Sequence, residues 1–208
     1  YLVSIEQRVT NTSSKDISII QWGKIQRTGT PKTSGFYILH EGPIAVLKDR
    51  LIEIDYDELM EEEQPFIKSQ GGWIGITDKY WLAALIPDQT SRIKGRFKSI
   101  FKKNIVRYQA EYESSEIDLA SGETTSVKSN LFIGAKEVDL LDKYSKQLSV
   151  DMFDKAVDFG WFYIITKPLF LILHKLSDLF GNVGLSILAL TVLIRILLFP
   201  LANKSFKS

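Results

Sequence analysis

The residue with the most unusual chemical setting is Arg195, a single cation within the apolar stretch TVLIRILLFP at 191–200. The twenty positions from Val183 to Ala202 carry no other charge. At about 1.5 Å per residue they cover about 30 Å, the thickness of a bilayer core. A central arginine costs a membrane helix roughly 2.5–3.5 kcal/mol. Because Thr191 lies one turn earlier on the same face, a watered, protein-lined cavity is favoured over snorkelling to the headgroups.

Other residues with chemical potential form weak patterns. His40 and Glu41 are adjacent, and neighbours in a strand point to opposite faces, so a surface histidine is the better interpretation. Glu61–Glu63 could bind a cation, but a solvated acidic loop is favoured. With no cysteine and only two distant histidines, no metal site is predicted. We therefore predict no catalytic residue, no cofactor and no enzyme.

Three further motifs in the first half have structural explanations. Asn11-Thr12-Ser13 is a formal glycosylation sequon of a kind common by chance. Gly71-Gly72 lacks the context of a phosphate loop and indicates a tight turn. Trp73, Tyr80 and Trp81 could form a sugar-binding platform, but core packing is the default for aromatic residues in strands.

Charge divides the chain into two parts. Residues 159–208 hold five basic residues and one acidic residue, which leaves 21 basic and 24 acidic residues in 1–158. The first part shows no basic stripe, so nucleic acid is not an expected partner. The hydrophobic fraction of 45% provides ample material for a core. The basic, apolar tail indicates a different environment from that of the acidic first part.

The elements of residues 1–150 are predicted to be mainly strands. Alternating segments such as YLVSIEQRVTN and DISIIQWGKIQRT recur every 8–15 residues with little helical signal between them. GGWIGITDKYWLAALIP divides around Thr77–Lys79, which indicates a hairpin. DELMEEEQPF is read as an acidic loop or short helix, and KEVDLLDKYSKQL as a closing helix at about 136–148. An antiparallel sandwich domain over 1–150 follows.

Residues 151–181 are predicted to form an amphipathic helical segment at the membrane interface. Pro168 suits the first turn of a helix, after which apolar residues recur at three and four positions. An aromatic-rich, one-sided helix is what an interfacial position needs. A span over Phe159–Leu173 is disfavoured because it is short and contains Lys167-Pro168. The interfacial residues are predicted to be Phe162, Pro168, Phe170 and Leu173.

A transmembrane helix is predicted at 182–203, followed by the start of a cytoplasmic segment at 204–208. Lys204 and Lys207 follow the span at once, whereas acids dominate the preceding domain. The positive-inside rule then places the C-terminal end in the cytoplasm. Residues 1–150 are accordingly expected in the periplasm of a bacterial cell, anchored in the inner membrane, so the lipid bilayer is a predicted partner.

The stretch VDFGWFYIITKPLF…GNVGLSILALTVLIRILLFPLANKSF closely resembles the YidC membrane-protein insertases of Gram-negative bacteria. GGWIGITDKYWLAALIP and LFIGAKEVDLLDKY look like late strands and the closing helix of the periplasmic domain of that family. The resemblance covers nearly the whole chain and is strongest from Val157 onward. It implies a fragment that contains part of a β-supersandwich, an interfacial helix and one span, with further spans outside this sequence.

The same resemblance implies a function. YidC-like proteins help to integrate and fold inner-membrane proteins, alone or with the Sec translocon, through a hydrophilic groove. Arg195 matches the groove arginine, Thr191 a polar groove residue, and Trp161 an aromatic residue near the periplasmic end of the substrate path. The implied partners are nascent inner-membrane proteins, Sec translocon subunits and the ribosome, the last through parts outside this fragment.

Two other classes stay open at this point. A sandwich of this kind resembles the fold of sugar mutarotases, so a membrane-tethered carbohydrate-binding or mutarotase-like periplasmic protein is an alternative. That chemistry needs a convergent His–Glu pair, for which this segment offers only His40. A single-span sensor with a periplasmic input domain is the third class. It would have a signalling domain after Ser208, where an insertase would have more spans.

Overall fold

A computed structural model describes residues 1–33, 39–62, 64–157 and 163–206. The chain divides into two compact units, Tyr1–Asp158 and Phe159–Ser208. The first unit contains twelve strands within its described residues. They are β1 Leu2–Thr10, β2 Ile17–Ile19, β3 Trp22–Thr28, β4 Gly42–Leu47, β5 Arg50–Glu53, β6 Ile67–Gln70, β7 Trp73–Thr77, β8 Trp81–Pro87, β9 Arg92–Lys102, β10 Ile105–Ser114, β11 Ile117–Leu119 and β12 Thr124–Ala135.

The strands form antiparallel sheets that pack as a sandwich. A six-stranded sheet has the order β1-β12-β8-β7-β4-β5, and a four-stranded sheet has the order β3-β10-β9-β6. Strands β11 and β2 form a small third sheet. One apolar core, which includes Ile74, Leu85, Phe97 and Tyr108, lies between the two large sheets. The predicted mainly β, sandwich-like fold is confirmed.

A second core covers the opposite face of the six-stranded sheet. Helix α2, Val138–Leu148, and a 3-10 turn at Phe153–Ala156 pack there against strand residues that include Trp73 and Phe132. Because both faces of the sheet are covered, all residues of β4 (GPIAVL) and β7 (WIGIT) are buried. Their continuous apolar runs are therefore signals of a central strand.

Local sequence signals account for several elements of this unit. The hairpin at Thr77–Lys79 is confirmed, since β7 pairs with β8 in the register Ile74↔Leu85 to Thr77↔Leu82. The acidic stretch contains the short helix α1, Tyr56–Glu61. The closing helix expected at about 136–148 corresponds to α2, which buries Val138 and Leu141.

The second unit contains the helices α3, Tyr163–Phe180, and α4, Val183–Phe206, joined at Gly181-Asn182. The prediction that a helix begins at Pro168 is wrong, because Pro168 lies inside α3. Proline removes the hydrogen bond that its N–H would donate to the carbonyl of Ile164. Pro168 is the sixth residue of α3, shortly after the four N–H groups that have no partner within the helix in any case. Only one hydrogen bond is lost, and the apolar helix continues through Pro168.

Candidate functional site

Arg195 and Thr191 lie on the same side of α4. Four residues of helix turn the chain by about 400°, so the two side chains diverge by only about 40°. Both residues are exposed in this unit. The Thr191 hydroxyl donates to the carbonyl of Ile187 at 2.8 Å, so it is bonded within its own helix. Among the residues that the structure describes, no carboxylate forms an ion pair with Arg195.

The opposite side of α4 is the packed side. Ser186 is fully buried and donates to the carbonyl of Asn182 at 2.8 Å. Ala189, Leu190 and Ile194 are half-buried along the same stripe, and α3 is the neighbour of α4 in this unit. Nine residues separate Ser186 from Arg195, about 180° of rotation. Ser186 therefore lies on the side opposite Arg195, whereas Gly184, about 20° from Arg195, lies on the same side as Arg195.

The remainder of α4 is apolar and uncovered. Within the described residues, one helix is long and apolar enough to cross a membrane, and the qualifying segment is Val183–Pro200. Ile196, Leu197 and Phe199 are each 65% or more exposed. Arg195 is the thirteenth of the 18 residues of this segment, and the neighbouring side chains have little protein cover. Large uncovered apolar surfaces mark contacts with lipid or with other protein segments.

The predicted interfacial residues occupy different sides of α3. Leu173 is half-buried, like Leu169 and Leu176 of the predicted apolar face. Phe170 is 42% exposed and its ring stacks parallel to that of His174 at 6.4 Å. Pro168 is also exposed. The predicted groove residue Trp161 and the predicted interfacial residue Phe162 lie outside the described residues.

The candidate acid–base residues of the β-rich unit have structural contacts. His40 Nε2 lies 2.9 Å from the carbonyl of Pro43 and Nδ1 lies 3.7 Å from Asp55. The Glu41 carboxylate accepts the backbone N–H of Lys79 at 3.0 Å. Among the residues described, no group of three or more His, Asp or Glu side chains could hold a metal ion.

The three aromatic candidates are not equivalent. Trp73 is fully buried, as predicted, with its ring edge-on to Phe153 at 5.3 Å. Tyr80 and Trp81 are 64% and 60% exposed, so core packing is wrong for these two. They lie at the turn end of the β7–β8 hairpin, directly after Asp78 and Lys79. Exposure at a strand end is not visible in an apolar pattern.

The sequon and the paired glycines are structural. Asn11 is 2% exposed, and its amide donates to the carbonyls of Lys15 and Leu119 at 2.8 and 2.9 Å. Gly71 and Gly72 have φ values of 59° and 95°, which confirms the tight turn. A Cβ on Gly72 would lie 2.2 Å from the carbonyl oxygen of Val46, so only glycine fits there.

A buried carboxylate on the four-stranded sheet was missed by the sequence patterns. The side chain of Glu111 on β10 is 2% exposed, and Oε1 accepts from Arg96 Nε and Lys98 Nζ of β9, both at 2.8 Å. Burial opposes ionisation, but the hydrogen bonds from Lys98 and Arg96 outweigh it and lower the pKa of Glu111. Within the part of the chain that the structure describes, its Oε2 accepts no hydrogen bond. Alternating charges on paired strands are the only sequence signal for this cluster.

The chain combines a β-sandwich with a helical unit, and one described helix of that unit is able to span a bilayer. These features are typical of membrane-anchored domains. Residues 1–172 match the sequence model of the YidC periplasmic domain. Because this match covers most of the chain, the chain belongs to the YidC family.

Relatives named membrane protein insertase YidC support the same assignment. Those of Rickettsia felis and Rickettsia akari are each 46% identical to this chain over 209 aligned positions, and that of Rickettsia africae is 45% identical. The alignments cover all of this chain and 37% of each relative. At the level of the family, the predicted inner-membrane localisation with a periplasmic β domain is confirmed. The chain spans a little over a third of the curated relatives' length.

Proposed function

We propose that this chain is part of a membrane protein insertase, in which Arg195 and Thr191 line a hydrophilic groove for inserting segments. The observation that carries the proposal is a single charge within the apolar segment Val183–Pro200 of α4, on the side opposite the packed stripe of that helix. A lipid-facing arginine at this depth would cost roughly 2.5–3.5 kcal/mol. A water-filled cavity between helices removes that cost and gives the charge a use.

The proposed mechanism forms and breaks no covalent bond. A polar tail of a substrate enters the groove, where water and Arg195 lower the cost of desolvating its charged and backbone groups. The guanidinium attracts carboxylates and carbonyl oxygens of the tail through charge-assisted hydrogen bonds. The apolar helix of the substrate then moves sideways into lipid, driven by burial of its apolar surface.

The proposed topology assigns each segment to one environment. Residues 1–150, with the 3-10 turn Phe153–Ala156 that packs on them, form the periplasmic domain. The remainder of 151–181 forms the interfacial segment, 182–203 the span and 204–208 the start of the cytoplasmic segment. Exposed apolar residues of α3, such as Ile164 and Leu179, support an interfacial position because lipid would cover them. Trp161 is proposed to lie near the periplasmic end of the substrate path. Nascent inner-membrane proteins are the proposed substrates, and Sec translocon subunits and the ribosome are proposed partners of the whole protein.

Replacing Arg195 in the full-length protein tests this function. In proteoliposomes, Arg195→Ala should slow insertion of a single-span substrate with an acidic translocated tail by about tenfold or more, the loss of one charge-assisted hydrogen bond. Arg195→Lys should be milder because it keeps the charge. The readout is the fraction of substrate tail protected from protease added outside the vesicles.

Two controls separate groove chemistry from damage to the helix. Ile196 is the next residue, and its side chain points about 100° away from that of Arg195. Ile196→Ala should therefore leave insertion unchanged. A substrate whose tail carries no acid should lose less than the acidic one in the Arg195→Ala protein. If Arg195→Ala inserts the acidic substrate at the wild-type rate, the groove role of Arg195 is wrong.

A further inference from the structure

The hairpin between β9 and β10 ends in a tip, Phe101–Ile105, that combines apolar and cationic side chains. Phe101 is 70% exposed and Ile105 is 44% exposed, and Lys102 and Lys103 lie between them in sequence. From Lys98 to Tyr112 the first acid is Glu111, so the tip itself carries no negative charge. An exposed phenylalanine among lysines is unfavourable in water alone, but both groups find partners at an anionic membrane surface.

The tip projects beyond the sandwich. The last bond from β3 to this hairpin is the Gly29 N–H donated to the carbonyl of Val106 at 2.8 Å. Beyond the pair Phe101↔Val106 the two strands continue alone through Lys102↔Ile105 to the turn. From Phe101 to Lys103 the strand rises about 7 Å, close to the roughly 6 Å of one headgroup layer. The ring of Phe101 can thus lie in the headgroup layer while the sheets stay in water.

The turn fixes the cations at the apex. Lys103 and Asn104 have φ values of 52° and 59°, the left-handed pair of a two-residue hairpin turn. Lysine seldom takes this conformation, so the turn holds a cation at the apex at a conformational cost. Lys102 and Lys103 form no ion pair with any carboxylate in the described ranges, and both side chains are exposed.

The chain itself holds this unit near a bilayer. Only six residues, 157–162, separate the 3-10 turn of the β-rich unit from α3, and α4 follows with its span. The covalent connection raises the effective concentration of the β-rich unit at the bilayer, so a weak contact of its surface can still be populated. Each cation near an anionic surface strengthens the contact about fivefold.

We propose that the tip Phe101–Ile105 is a second membrane contact of this protein, which docks on a bilayer surface containing anionic phospholipid. Phe101 enters the headgroup layer, and Lys102 and Lys103 bind lipid phosphates. This contact is separate from α3 and α4 and does not rest on the groove role of Arg195.

Single-cysteine labelling tests the contact directly, because the chain has no native cysteine. In the full chain, reconstituted in vesicles of phosphatidylglycerol and phosphatidylethanolamine, Phe101→Cys would carry the environment-sensitive fluorophore NBD. Lipids with a doxyl quencher near the glycerol backbone should quench it at least threefold more than the same label on Ser14→Cys, an exposed residue of the β1–β2 loop. Quenching should fall in phosphatidylcholine vesicles and at high salt, since exposed charges are screened.

Charge reversal at the tip tests the role of the two lysines, and the same reversal elsewhere on the sheet is the matched control. Lys102→Glu with Lys103→Glu should reduce the ratio of docked to free tip by at least about 20-fold and abolish most of the quenching. Lys24→Glu with Lys68→Glu makes the same change in net charge elsewhere on the four-stranded sheet and should preserve it. Equal quenching at positions 101 and 14 overturns the proposal. So does protection of the label from aqueous iodide without lipid quenching, which would mean that protein covers the tip.

Discussion

The two units of the molecule use the same apolar side chains in opposite ways. In the β-rich unit, Trp73, Phe132 and Phe153 are fully buried, because the six-stranded sheet is covered on both faces. In the helical unit, Ile196 and Phe199 are more than 60% exposed. A water-soluble domain rarely exposes apolar surface in this density. The first unit therefore creates its own apolar environment, whereas the second is suited to one that the bilayer supplies.

Charges show the same contrast. Glu111 is buried in a unit surrounded by water, and two cations at 2.8 Å offset the cost of removing it from solvent. Arg195 lies on a helix suited to lipid and forms no ion pair within the described part of the chain. A buried charge with oppositely charged neighbours, such as Glu111, is explained by its contribution to the structure. A charge without such a neighbour in an apolar setting, such as Arg195, suggests a functional role.

Truncating one large apolar side chain in each unit should give the largest difference. Phe153→Ala removes a ring that packs against Trp73 and Phe132 at centroid distances of 5.3 and 5.6 Å. We expect it to lower the free energy of unfolding of the β-rich unit by about 3–5 kcal/mol. Urea unfolding of the full chain in detergent, followed by tryptophan fluorescence, measures this change.

The counterpart in the helical unit is Ile196→Ala, a truncation of a residue that is 68% exposed. It leaves no cavity in the protein, so we expect a change of less than about 0.5 kcal/mol in the same experiment. Similar losses for both variants would contradict the contrast between the units, because Ile196 would then have to be packed against protein in solution.

Removing the buried charge should have the next largest effect. Glu111→Gln weakens the acceptor of two cationic donors and should destabilise the β-rich unit by about 1–3 kcal/mol at neutral pH. Glu113→Gln is the matched control on the same strand. Its partner Lys94 lies at 2.8 Å, but the carboxylate is 25% exposed, so we expect less than about 1 kcal/mol.

The difference in stability between wild type and Glu111→Gln should depend on pH. Because the folded protein lowers the pKa of Glu111 below its ordinary value of 4.5, the ionised form stabilises the fold. This contribution is complete well above pH 4.5 and is lost as the pH falls through the lowered pKa of the folded state. The difference in unfolding free energy between wild type and Glu111→Gln should therefore shrink on acidification. A difference that grows below pH 4.5 would mean that the folded state raises this pKa.

The fold could be predicted where a local signal determines the structure. The β7–β8 hairpin followed from two apolar runs around Thr77–Lys79. The start of α3 could not be predicted, because the apolar residues before Pro168 outweigh one lost hydrogen bond near the end of a helix. The exposure of Tyr80 and Trp81 depends on the tertiary packing around the hairpin turn, which no window of sequence contains.

Candidate sites show the same limit. Arg195 could be found because a charge within an apolar run is visible in the sequence itself. Glu111 could not be singled out, because its meaning depends on the antiparallel register that pairs it with Arg96. Ser186 shows why closeness along the span does not tell on which side of the helix a residue lies. Nine residues of helix rotate it by about half a turn, to the packed side.

The smallest effect is expected for Thr191, and it tests how much Thr191 contributes to insertion compared with Arg195. Thr191→Val keeps the shape and removes a hydroxyl whose partner, the carbonyl of Ile187, also accepts the helical N–H of residue 191. The helix should not weaken, and its infrared amide signal should not change. Under the proposed groove, insertion of the acidic-tail substrate should slow by less than about threefold, since a polar contact within a membrane bundle contributes on average about 0.6 kcal/mol. The comparison with Arg195→Ala shows whether the Thr191 hydroxyl takes part in insertion. A loss as large as that of Arg195→Ala would mean that the Thr191 hydroxyl leaves Ile187 and binds substrate or water during insertion. Thr191 and Arg195 would then act together.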